Sequence, residues 1–163
     1  MPVYAKVGSS QQDILTEAQA RKRPELVRMQ AERPSLDHIA TTSGEWVLSR
    51  KKLLTMINEE KNRRRDSGFM LDGKRWDSDS HARLAYAEVA LKFAADAAYM
   101  VKDWKASTGV WETLDKALFE RVYTAGAAHL EAAYAWQKAK EEELAATPDA
   151  ELGGFVITER LEL

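Results

Sequence analysis

No cysteine occurs anywhere in the 163 residues. That removes disulfide scaffolds, zinc ribbons, thiol nucleophiles and iron–sulfur ligation, and with them any redox chemistry of the chain's own. Glycine is sparse, at eight residues, and neither Gly-x-Ser-x-Gly nor Gly-x-x-x-x-Gly-Lys followed by Ser or Thr occurs. The backbone therefore offers neither a nucleophile elbow nor a phosphate cradle. The three histidines, His38, His81 and His129, lie far apart, and none belongs to a His-x-x-x-His or Glu-x-x-His pair, so a helix-face metal site has no ligand set. No apolar run approaches the ~20 residues that cross a bilayer, and the first residues lack a basic segment followed by a long apolar one. These absences predict a non-enzymatic protein with no catalytic residues, cofactor, metal or membrane contact, soluble in the compartment where it is made.

What is present is uneven. The net charge is −2, yet residues 1–75 carry 15 basic and 10 acidic side chains while the remainder carries 9 and 16. Prolines at 2, 24 and 34 and the lack of sustained periodicity predict an extended N-terminal arm over residues 1–48, with short elements only. From Ser49 a helix is predicted to about Asp66, with Leu53, Leu54, Met56 and Ile57 on one side. Arg63, Arg64 and Arg65 crowd its last turns, where the helix dipole favours cations and Glu59 and Glu60 stand one turn earlier. Nucleic-acid binding is not expected, since no aromatics interleave with these arginines. Asp72-Gly73 then sits between apolar pieces as in a two-residue hairpin turn, predicting a β-hairpin over 68–77.

Two stripes at helical spacing follow. Tyr86, Val89, Phe93, Ala97, Met100 and Trp104 make the first; Leu114, Leu118, Val122, Ala125, His129, Ala132 and Trp136 make the second. Nineteen of the 65 residues from Ala82 to Ala146 are alanine, which favours helix and permits close helix approach. The predicted fold is mainly α: an antiparallel helical hairpin plus a shorter helix, with a small β-hairpin and extended N- and C-terminal segments. A helical domain would span 49–146, and residues 147–163 would form a tail, read as a strand because Phe155, Ile157, Leu161 and Leu163 alternate. A buried pocket between the two rods, lined by convergent ionisable groups, would instead point to small-molecule chemistry. Of the five tryptophans, Trp46 and Trp111 fall in predicted loops and are the better partner contacts, together with Phe155, Ile157 and Leu161 of the tail.

The stretch from Gly68 to Asp79, the loop from Gly109 to Leu114 after Trp104, and Ala128-His129 with Tyr134 in the last helix together resemble a domain family. It is an uncharacterised domain found in tailed-bacteriophage and prophage tail gene clusters, and the resemblance covers about residues 48–145. It implies a structural or adaptor protein of the virion tail or tail tip, made in the host bacterial cytoplasm and bound to other tail or fibre proteins. The alternative it implies is a tail-fibre or tail assembly chaperone not retained in the virion. Analogy with tail fibres, commonly threefold, would make a homo-oligomer a trimer.

Overall fold

The computed structural model of the chain describes residues 1–158. It divides into two compact units: Met1–Asn58 with the residues from Ala139 onward, and Glu59–Lys138. The fold is mixed α and β, with four small antiparallel sheets among the described residues, which corrects the mainly α expectation.

In the first unit, β1 (Val3–Lys6) is the middle strand of a sheet, flanked by β2 (Gln12–Ile14) and β3 (Leu26–Arg28). A short helix, α1 (Glu17–Ala20), opens on a Thr16 cap that accepts from the Gln19 amide while Gln19 returns a hydrogen-bond partner to the Thr16 amide. Next, β4 (His38–Ala40) pairs with β5 (Trp46–Leu48) around the Thr41 to Gly44 turn. Val3, Ala5, Met29 and Ala40 bury together with Trp46 packed against them. The segment read as an extended arm therefore has its own core. Strands of three or four residues are too short for alternation to stand out from the surrounding sequence. Beyond the long last helix, Asp149–Gly154 forms a 3₁₀ helix with Leu152 buried. No strand occurs over residues 155–158, so the strand reading of the tail does not hold for Phe155 and Ile157. Leu161 lies outside the described residues.

In the second unit, β6 (Phe69–Leu71) and β7 (Lys74–Trp76) turn through Asp72 and Gly73, both at positive φ. Asp79 caps α3 (Ser80–Ala95) by accepting from the Ala82 amide. The first rod was expected to reach Trp104, but α3 ends at Ala95. Residues Val101–Ser107 form β8, and Val110–Leu114 form β9. Val101, Trp104, Val110, Trp111 and Thr113 are β-branched or aromatic, and Gly109 at φ 76° closes the turn between the strands. The Asp77 amide donates to Ala106 O, tying the strand pair to its neighbour. As a result Ala97 and Met100, read as buried stripe residues, are exposed.

Two helices span the boundary between the units: α2 (Arg50–Arg65) and α4 (Lys116–Ala146). Within the second unit α3 and α4 meet through large rings rather than close-packed alanines, with Phe93 and Phe119 centroids 5.1 Å apart. The core there gathers Phe69, Trp76, Tyr86, Phe93, Ala106, Leu114, Phe119 and Val122. No helix among the described residues is long and apolar enough to cross a membrane.

Candidate functional site

The basic end of α2 is where ionisable groups converge. Arg63 and Arg64 both donate to the Glu60 carboxylate, at 2.6 and 2.8 Å, and the Arg64 guanidinium lies 4.2 Å over the Trp136 ring. Arg65 forks onto Asp66 through Nε and Nη2, at 2.8 and 2.9 Å. Arg83, from α3, donates to the same carboxylate at 2.7 Å. Hydrogen bonds from Arg65, and next from Arg83, hold the Asp66 carboxyl well below the usual carboxylate range against a partial desolvation penalty. The Ser78 hydroxyl donates to Arg65 O at 2.6 Å and accepts from the Gly68 amide at 2.9 Å. His129 Nε2 lies 3.1 Å from the same carbonyl. A carbonyl only accepts, so Nε2 carries the proton, and in the neutral ring Nδ1 is the bare nitrogen.

Beside this network lies an open groove of about 220 Å³ between α3 and α4. Phe69, Ala87, Tyr123, Ala127 and Leu130 give it a largely apolar lining, and Arg65, Ser78, Arg83 and His129 supply the polar part. Gly126 stands where an added Cβ would come within 3.3 Å of the Phe69 ring, so the missing side chain lets that ring close on α4. Tyr86 donates to Asp77 O at 3.0 Å, and burial, reinforced by Asp77 and Asp79, pushes its hydroxyl up to about 12. The groove thus does bring ionisable groups between the helices, but Arg65, Arg83, Tyr86 and His129 are each committed to an internal partner. A carboxylate held ionised by two arginines is a weak base, and a serine bonded on both sides is a strut rather than a nucleophile.

A family model described as a domain of unknown function, DUF4376, matches residues 49–158. The chain belongs to this family. The DUF4376 match opens one residue ahead of α2 and takes in the whole second unit, α4 and the 3₁₀ helix, leaving the strands of residues 1–48 outside. No curated protein and no solved structure matches the chain.

Of the contact residues predicted from the sequence, Trp111, Phe155 and Ile157 fall within the DUF4376 match and Trp46 outside it. Trp46 is half-buried on β5, its indole N–H donating to Ala31 O at 2.9 Å. Phe155 and Ile157 are half-buried, with the Lys140 ammonium 5.7 Å from the Phe155 ring. Trp111 is different: it stands 61% exposed on β9. Trp111 belongs to the second unit and the other three to the first. Sequence reasoning missed Arg83, brought to Asp66 from 17 residues away, and the exposed leucines of α3. The signal for those leucines was present, because Leu84 and Leu91 repeat at seven residues on the side opposite Tyr86 and Phe93.

Proposed function

We propose that the chain is a non-enzymatic structural adaptor of a bacteriophage tail or tail tip, docking on neighbouring tail or fibre subunits. The observation that carries this reading is β9, the last strand of a two-stranded sheet, one backbone edge of which no strand among the described residues pairs and beside which Trp111 stands exposed. An open edge accepts a strand from another chain, and a large aromatic at that edge anchors it. The resemblance of residues 68–79, 109–114 and 128–134 to a domain of phage tail gene clusters supplies the context. The engaged state of Arg65, Asp66, Arg83 and Ser78 supports binding over catalysis, and the pairing of Arg63 and Arg64 with Glu60 weakens any case for a nucleic-acid partner.

The test is the protein content of purified particles. A fixed copy number per tail, lost when Trp111→Ala is introduced while the isolated protein melts unchanged, is the expected result. Presence in infected cells but absence from particles would replace this reading with the assembly chaperone. Salt-dependent retention on DNA that vanishes when Arg63, Arg64 and Arg65 become alanine would replace it with a nucleic-acid role.

A further inference from the structure

The helix α3 is apolar on two sides. Tyr86 and Phe93 are buried in the core, whereas Leu84 and Leu91 stand 62% and 74% exposed. Ala94 is exposed on the same outer side, and Ala87, exposed too, lies where that side meets the groove towards α4. Two leucines left open on the side away from the core call for cover, and among the described residues nothing buries them.

The order along the face identifies what would. Leu84, Ala87, Leu91 and Ala94 follow at intervals of three, four and three, the spacing of a helix-pairing seam. Large and small alternate, so the seam is complementary to its own reverse. Laid antiparallel on a second copy, with the twofold axis at the level of Val89, Leu84 faces Ala94 of the second copy and Ala87 faces its Leu91. Every leucine then fills the hollow above an alanine. A parallel pairing would instead set leucine on leucine and alanine on alanine, crowding one layer and leaving a gap in the next. No charged residue lies in the seam itself; Glu88 flanks it on one side and Arg83, held on Asp66, on the other.

We propose that two copies of this chain associate through the outer face of α3, antiparallel about a twofold axis, in an isologous contact. This goes beyond the adaptor reading, which uses the edge of β9, and it stands or falls separately from it. A 16-residue helix is only ~24 Å long, and its face falls short of the ~800 Å² per partner of a standard interface. The dimer is accordingly weak, dissociating in the micromolar range, below ~200 μM.

Sedimentation equilibrium of the full chain up to ~200 μM is expected to show a monomer–dimer equilibrium. Leu84→Glu with Leu91→Glu should leave only monomer, with the helical signal unchanged because both side chains are exposed in the single copy. The geometry is read separately, by placing single cysteines in this cysteine-free chain. Glu88→Cys sits one residue from the axis and should be joined copy to copy by a short bismaleimide. Ser80→Cys would put its thiols roughly 27 Å apart across the axis and should not be joined. A chain that stays monomeric at the highest concentration, a dimer indifferent to the double variant, a trimer, or efficient joining at Ser80 would each overturn the proposal.

Discussion

At Gly44 the backbone adopts φ 79°, and an added Cβ would lie 2.4 Å from Arg28 O, a backbone atom that cannot step aside. Gly44→Ala should therefore cost about 3 kcal/mol in chemical denaturation, combining αL strain with a steric clash. Gly8, at φ 78° with nothing near its missing Cβ, separates the two causes: Gly8→Ala should cost only about 1 kcal/mol. Asp66 gives a pH signature. Its folded-state carboxyl titrates below the ordinary value near 3.9, so the stability it contributes is complete above that value and is lost as pH falls below it. Asp66→Asn should cost about 1 kcal/mol at neutral pH, an amount tempered by solvent screening at these half-exposed side chains. The difference from the parent should shrink as acid is added below that ordinary value. Tyr86 acts at the other end of the scale. With its hydroxyl pushed up to about 12, the stability it contributes is full below about 10, the value in an unfolded chain, and is lost as pH rises from there toward 12. Tyr86→Phe should cost about 1 kcal/mol at neutral pH and remove that part of the alkaline loss. Local pairs such as Glu60 with Arg63 and Arg64 were legible, because three- and four-residue spacing fixes them on any helix. The join of Asp66 to Arg83 was not, since it exists only after the hairpin has folded back.

Elements with strong punctuation were the readable ones. Asp72-Gly73 between apolar pieces specifies its turn through two positive φ angles, and Asp79 announces α3 by its cap. The other end of α3 carried no such mark. Ala94, Ala95, Ala97 and Ala98 all favour helix, and Met100 and Trp104 continue its period. What decides against the helix is tertiary pairing: Val101 opposite Leu114, with Trp104 stacked on Tyr86 at 5.3 Å and Leu114 fully buried. Helical and strand periods coincide often enough over four residues for a stripe to be extended across a real boundary. The 3₁₀ helix is another element whose weight shows only in space. Leu152 is 2% exposed, and Gly153 lies where an added Cβ would be 3.0 Å from Val47. Leu152→Ala should lower stability by about 3 kcal/mol, read as a shift of the denaturation midpoint with the slope unchanged.

Across the molecule, the boundary between the two compact units falls inside α2 and α4 rather than in a linker. Residues 59–138 expressed alone would begin and end in mid-helix, so they should lose helical signal well beyond the residues removed. The family range, 49–158, keeps both helices whole but discards β5, on which the 3₁₀ helix rests through Val47. That range alone should keep its helices and melt at a lower temperature than the full chain. The expected helical domain from 49 to 146 had treated everything before it as an arm, and the sequence could not show the core that Val3, Ala5, Met29 and Ala40 build there, because no one of its strands is long enough to declare a face. The tryptophans carry one more consequence. Trp76 is 1% exposed, its indole N–H without an acceptor among the described residues, while Trp111 faces water. Two of the chain's five tryptophans therefore sit in opposite surroundings. With Trp46, Trp104 and Trp136 replaced by phenylalanine, the first should emit at short wavelength and resist a dissolved quencher and the second should emit at long wavelength and dim at once, so that a blue shift of the second would report that β9 has found its occupant.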